Sequence, residues 1–367
     1  MPHRGQLVLL PPNRVWRTYP GGRTLERLAG AAAPVDSHLA EDWIASATRA
    51  VNRGREEIPE GVSQVRLGHD PAPHDFAVLL ASDPEYFLGA AHVAKYGAQP
   101  QVLVKFLDSG TRLHFQVHPT RDFARRVLGA PSGKTEAYHV LAVRPPGEVA
   151  GGEAVGYIYV GFQRPPDPDT LKAAILAQDL AAIEACFDRI PVRAGDTFII
   201  PGGTPHALGA GVFMVEIQEP SDLVVRFEFE RGGYVLPESA RFMNRDVDFA
   251  LSVFNFEPLD AAALERRVRC RPRLLRDLGA GSRQDELIGA AETDCFRVRK
   301  THLAAPAVLA AAEPTILIVT AGEVVAEVGG ESHRLRTFDK VFLPAGLGPV
   351  RFTPHPHAEW LECLPPA

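Results

Sequence analysis

Residues 113–120 read LHFQVHPT, and how this stretch is read decides the fold. In an extended strand, side chains alternate between the two faces. Leu113, Phe115 and Val117 then pack one way, while His114, Gln116 and His118 all point the other. Pro119 ends the strand, because proline has no N–H to give to a ladder. Three polar, metal-capable groups on one face of a strand mark either a ligand site in a sheet protein or ordinary satisfied core and surface residues.

The surroundings favour a sheet protein. The segments QVLVKFLD (101–108), EAYHVLAV (136–143), AVGYIYVGF (154–162), DTFIIPGG (196–203), VFMVEIQE (212–219) and LVVRFEFE (223–230) are short. They are rich in β-branched or aromatic residues and bounded by Gly, Pro or Asp. Three helical segments interrupt them. Residues 82–97 open with Ser82 or Asp83 at the cap and Pro84 in the first turn, and close at Gly97. Residues 119–131 start from a capping Thr120 and stop at Gly129. Residues 167–190 form one bent helix or two short ones. After about residue 260, an arginine-rich stretch, 264–286, reads as a half-exposed strand with a solvated face. It leads into a second set of strands, in which Gly329-Gly330 is a hairpin turn. The fold class is therefore mainly β, with helices inserted in the first half and a smaller β domain at the end.

Composition excludes several classes of function. The chain has 367 residues, 46% of them hydrophobic, enough for a large core and two domains. A formal charge of −6 gives no reason to expect nucleic acid or an anionic membrane as partner. No apolar run approaches a spanning length or a secretory signal, so cytoplasmic residence is expected. Cys186, Cys270, Cys295 and Cys363 have no paired spacing, which argues against a disulfide framework or a thiolate zinc site. No nucleotide-binding glycine pattern is present: Gly202-Gly203 and Gly209 to Gly211 lack the spacing and context.

Four places offer ligands: Gln116 and His118; Glu136 in GKTEAYHVL; His206 after IIPGGTP; and a stretch carrying Glu216 and Arg226. Two imidazoles, a carboxylate and a weak amide ligand suit zinc or another borderline divalent metal. Without thiolates, a coordination position stays open, as in catalytic sites. His355, His357 and Glu359 in PHPHAEW also alternate. Two prolines and the lack of partner motifs argue against a second metal there.

The segments FLDSGTRLHFQVHPT, GKTEAYHVL, NRVWRTYPGGRTL and GDTFIIPGGTPHALGAGVFMVEIQEPSDLVVRFEFER together resemble type I mannose-6-phosphate isomerases. They resemble especially the short bacterial form of that cupin family, in order over most of residues 10–245. The C-terminal LIVTAGEVVAEVGG to VFLPAG is similar to the family's smaller second domain. The resemblance implies two cupin (jelly-roll) barrels: a catalytic domain over 1–260 and a smaller non-catalytic one over 261–367. It implies one Zn(2+) per chain, held by Gln116, His118, Glu136 and His206, with the glutamine near the metal if not bound to it. The implied reaction interconverts mannose 6-phosphate and fructose 6-phosphate through an enediol.

By motif, Arg226 stabilises the developing oxyanion, the alternative being a cross-strand ion pair with Glu228 or Glu230. Lys134 contacts substrate, or transfers a proton if burial lowers its pKa. Glu216 orients a ligand histidine or moves the C2 proton. The partner expected is a small-molecule sugar phosphate, with no nucleic acid and no membrane, and the chain is expected to be a monomer or weak homo-oligomer.

Two departures from the family pattern bear on the substrate. His114 stands where the family usually has a serine associated with substrate binding, and the loop from Trp16 to Gly22 is longer. Arg231, Arg112 and His114 are the candidates for phosphate capture. Two competing functions are a non-catalytic cupin that senses a sugar or sugar phosphate, and a metal-dependent cupin oxygenase.

Overall fold

The protein is described by a computed structural model covering residues 4–367. Strands outweigh helices, and almost all pairing is antiparallel. A seven-stranded sheet runs in the order Arg269–Cys270, Thr197–Ile200, Glu136–Val143, Val212–Gln218, Leu103–Asp108, Glu41–Ile44, Arg14–Val15. A five-stranded sheet runs Ile190–Pro191, Tyr157–Val160, His206–Leu208, Gln116–Val117, Val225–Arg226.

Alternation along the seven-stranded sheet builds two different faces. Val104, Phe106, Ala137, Ile199, Phe213, Val215 and Ile217 point outward into one apolar cluster with Leu287, Ile316, Phe342 and Leu361 of the second half. On the inner face, Leu107, Tyr138, Val140, Phe198, Ile200, Val212 and Met214 meet Ile158, Val160 and Leu208 of the five-stranded sheet. Interspersed on that inner face are Lys105, Glu136, Glu216 and Gln218, all buried. Burying each apolar side chain yields about 1.5–3 kcal/mol, so the outer face supplies the stability that a charged inner face does not.

The second half supplies eight strands of an eleven-stranded sheet, whose longest members are Thr315–Val328 and Gly348–Leu364. Gly329 and Gly330, at φ 58° and 83°, make the two-residue turn into Glu331–Arg336, the left-handed pair that a type I′ hairpin requires. Pairing crosses residue 260 in both directions. Val8–Leu9 lies between Lys340–Leu343 and Gln64–Leu67, while Arg269–Cys270 extends the first-half sheet.

The helices differ in detail from expectation. Residues 82–97 break into Pro84–Leu88 and Ala90–Tyr96, because Gly89 sits at φ 88° between them. Thr120 does cap its helix, accepting from the N–H of Phe123, and Gly129 ends it in the left-handed region. The 167–190 segment is two helices, Pro168–Ala177 and Leu180–Glu184, parted at Gln178 with φ 52°. Of LHFQVHPT, only Gln116–Val117 pairs as a strand. Within the arginine-rich stretch, Arg273–Gly279 is a largely exposed strand, with Arg273 paired to Glu286 and Glu292.

Candidate metal centre

Three chain segments converge at the ends of paired strands. His206 lies opposite Gln116, and Gln116 lies opposite Arg226 on its other side. In the facing sheet, Glu136 pairs with Ile200 and with Gln218. The turns after Ile200 are set by glycine. A Cβ on Gly202 would stand 2.7 Å from the Cα of Thr120, and one on Gly133 would stand 2.4 Å from the backbone nitrogen of Arg121. The three ligand-bearing segments can approach this closely only because those positions carry no side chain.

The ligand atoms of His118, Glu136 and His206 lie within 4.8 Å of one another, and all three residues are buried. Each histidine gives its Nδ1–H to a backbone carbonyl, His118 to Leu223 at 2.8 Å and His206 to Thr204 at 2.8 Å. A carbonyl can only accept, so each Nδ1 carries the hydrogen and Nε2 is the ring nitrogen left to bind a cation. Both Nε2 atoms face the carboxylate of Glu136, at 3.4 Å for His118 and 3.0 Å for His206. Burial lowers the His118 pKa to about 3, so its ring is neutral, and its Nε2 lone pair accepts from the Lys134 ammonium at 3.0 Å. Glu136 Oε1 accepts from Tyr138 at 2.5 Å, while the buried Oε2 accepts no aligned hydrogen bond. Two imidazole nitrogens and an under-bonded carboxylate oxygen in one buried space fit a borderline divalent cation. The side-chain amide of Gln116 lies 3.2 Å from His206 Nε2, near enough to join the set.

Cations and anions alternate around this centre. Lys134 Nζ sits 2.9 Å from Glu136 Oε2 and 3.7 Å from Glu216 Oε1. Burial works against the Lys134 ammonium, but Glu136 and Glu216 outweigh it and hold the pKa above its ordinary value. The lysine is therefore cationic at neutral pH, contrary to the expectation that burial could free it for proton transfer. Glu216 also faces Lys105, at 3.3 Å, and Lys105 reaches Glu41 at 3.5 Å. Burial pushes the Glu216 carboxyl up to about 7, with Lys105 pulling it down and Glu136 pushing it up. Neither metal-facing histidine is oriented by Glu216, since backbone carbonyls do that work.

Arg226 is buried, and burial followed by the nearby Arg17 lowers its pKa to about 10, so it stays charged. Among the described residues it makes no ion pair. Glu228, the expected alternative partner, holds Arg112 through bonds of 2.6 and 2.8 Å, and Glu230 lies in an exposed strand end. The Arg226 guanidinium has one long bond, 3.4 Å to the carbonyl of Ala240. Arg112 and Arg231, both candidates for phosphate, are engaged by Glu228 and Glu153.

His114 lines the same cavity, with Nδ1 bonded to the Glu228 carbonyl at 3.1 Å and a buried Nε2 that has no hydrogen-bond partner among the described residues. The lengthened Trp16–Gly22 loop contributes Arg17, Thr18 and Tyr19 to the wall. Asp222 clamps Arg17 through two bonds of 3.0 Å.

Sequence reasoning missed Lys105, Glu41, Tyr138, Arg17 and Asp222. A lone lysine in the apolar run VLVKFLD was the available signal for the first, and alternation from Glu136 was the signal for Tyr138. His355 and His357 are exposed, and Glu359 pairs with Lys300 at 2.7 Å.

The cavity beside the centre is narrow, with about 20 Å³ open to a water-sized sphere. A larger hollow of about 420 Å³ lies between Pro11, Leu28 and Lys340, but no converging lone pairs line it. Chemistry, not volume, distinguishes the smaller one. No helix of the described residues is long and apolar enough to cross a membrane.

No protein-family model matches the chain. It is 27% identical to the mannose-6-phosphate isomerase of Streptococcus mutans over 334 residues, covering 90% of this chain and 89% of that protein. The structure of mannose 6-phosphate isomerase from Bacillus subtilis matches 98% of this chain and 99% of its own, with a TM-score of 0.73 at 19% identity. A mannose 6-phosphate isomerase bound with zinc and yttrium matches 99% of this chain and 100% of its own, with a TM-score of 0.67 at 16% identity. The chain is thus similar in sequence to proteins named mannose-6-phosphate isomerase, and it shares the fold of such proteins from end to end.

Proposed function

We propose that the protein is a metal-dependent aldose–ketose isomerase that interconverts mannose 6-phosphate and fructose 6-phosphate. The observation that carries this reading is the convergence of His118, Glu136 and His206, with Gln116 alongside, next to the unpaired guanidinium of Arg226. The relatives' names agree with it. We read the two sheet systems as two cupin barrels, with catalysis over 1–260 and a non-catalytic partner over 261–367, and we take zinc as the metal.

Bound by these residues, a divalent cation supplies Lewis acidity toward the carbonyl and hydroxyl oxygens at C1 and C2 of the sugar. The chain's own groups do the rest. Glu216, ionised above about pH 7, takes the C2 proton and returns it to C1. Arg226 donates to the oxygen on which charge develops in the enediolate. Lys134, held cationic, donates to the neighbouring oxygen as the hydroxyl proton passes between O2 and O1. Leu113, Leu107 and the Trp16–Gly22 loop wall the cavity against water.

The test is to strip the protein with a chelator and follow conversion of mannose 6-phosphate to fructose 6-phosphate. Activity lost on stripping and restored by zinc supports the isomerase. A metal-loaded protein that binds a hexose phosphate without turning it over is the sugar sensor instead.

A further inference from the structure

A second cluster of metal-ligating side chains lies in the other half of the molecule, on elements that contribute nothing to the first. His69, Glu331 and His333 place their ligand atoms within 4.8 Å of one another. Glu331 and His333 alternate along Glu331–Arg336, so they share a face, and His333 is buried while Glu331 is part-buried. His69 comes from the turn that follows Gln64–Leu67. Its ring stacks on that of His333, with centroids 4.6 Å apart and planes at 23°. His333 Nε2 lies 3.1 Å from Glu331 Oε2, close to the spacing of about 3.4 Å between ligands of a tetrahedral zinc with bonds near 2.0–2.2 Å.

The backbone around this cluster is shaped for close approach. Gly68 has φ +50°, and a Cβ there would stand 2.4 Å from Glu331 Oε2. The carboxylate occupies the space that any other residue at 68 would fill. Both sides are fixed: the N–H of Gly68 donates to the Leu7 carbonyl at 2.9 Å, and Ala326 pairs with His333 across the hairpin. A hydrogen-bonded ion pair would need only one imidazole. Among the described residues the second, stacked ring has no carboxylate of its own, and two imidazoles with one carboxylate are the ligand set of zinc-class cations.

We propose that His69, Glu331 and His333 form a second divalent-cation site, fastening the 68–69 turn to the C-terminal hairpin and independent of catalysis. The exposed His69 ring swings to close the set, and water completes the coordination. A cation that binds only the folded chain also raises its thermal midpoint.

The test compares chelator-stripped wild type with His69→Ala, which alters an exposed residue and leaves the core intact, and with His333→Gln. Each is equilibrated with micromolar free zinc, and bound zinc is counted by elemental analysis. The expected result is one equivalent less in each variant than in wild type, with isomerase turnover unchanged and a smaller zinc-dependent rise in thermal midpoint. Equal zinc content in wild type and both variants overturns the site. Because loss of the first site would abolish turnover as well as one equivalent of zinc, unchanged turnover assigns the missing equivalent to the second site.

Discussion

The two halves of the molecule are both antiparallel β structures, yet they treat buried polar groups in opposite ways. In the second half, the buried carboxylate of Glu362 accepts from Thr301 at 2.7 Å, Gln284 at 2.8 Å and Trp360 at 3.0 Å. Neutral donors saturate it, and Val319, Val350, Phe352 and Trp360 pack nearby as hydrocarbon. In the first half, Glu136 keeps an oxygen without an aligned donor, two imidazole Nε2 atoms turn to the same centre, met only by Lys134 at 3.0 Å and the Gln116 amide at 3.2 Å, and among the described residues Arg226 makes no ion pair. Saturated polar groups make a scaffold. Unsatisfied ones, held in place by an apolar outer face, make a site.

Breaking the unsatisfied set should have the largest effect. In Glu136→Ala, the carboxylate that faces both imidazoles is gone; metal analysis should show the first site empty and turnover should fall to background. Full metal content with full activity would remove Glu136 from the site. Next comes Arg226→Ala. The metal should stay, and turnover should drop by about a hundredfold to a thousandfold, the cost of one oxyanion donor. An unchanged rate would return Arg226 to a purely structural role.

The pH profile sharpens the same contrast. With the Glu216 carboxyl raised to about 7, the ionised base is scarce below that pH. kcat/KM should therefore rise about tenfold per pH unit up to about 7 and then level off. Glu216→Gln should lose that limb together with most of the rate. A profile flat from pH 5 to 8 in the wild type would mean another group moves the proton. The smallest effect belongs to the saturated half. Thr301→Val deprives Glu362 of one donor and should cost about 1–3 kcal/mol of stability, read by denaturant unfolding. Metal content and turnover should not change.

Much of this contrast is legible in the sequence, and what is hidden has a physical reason. Its β-branched and aromatic composition gives the strand Glu136–Val143 with its bounds, and the capping threonine and closing glycine give the 120–129 helix. The four ligand candidates, Gln116, His118, Glu136 and His206, stand out because polar groups interrupt apolar strands beside turns. What alternation cannot give is the distant partner. Nothing in LHFQVHPT tells that only Gln116 and Val117 pair, nor that Glu228 is taken by Arg112 and so leaves Arg226 free. Non-local pairing likewise hides Val8–Leu9, which joins the C-terminal sheet more than 330 residues later in the chain. Lys105 reads as a stray charge until Glu41 and Glu216 are seen on either side of it. The His69–Glu331–His333 cluster is invisible for the same reason, since its members lie far apart along the chain.

The most direct test of the central claim is anomalous diffraction at the zinc edge, on crystals of active, zinc-reconstituted protein. The account predicts a peak at bonding distance, about 2.0–2.2 Å, from His118 Nε2, His206 Nε2 and a Glu136 oxygen. No anomalous density among those three groups, in crystals whose protein turns over substrate, would contradict it.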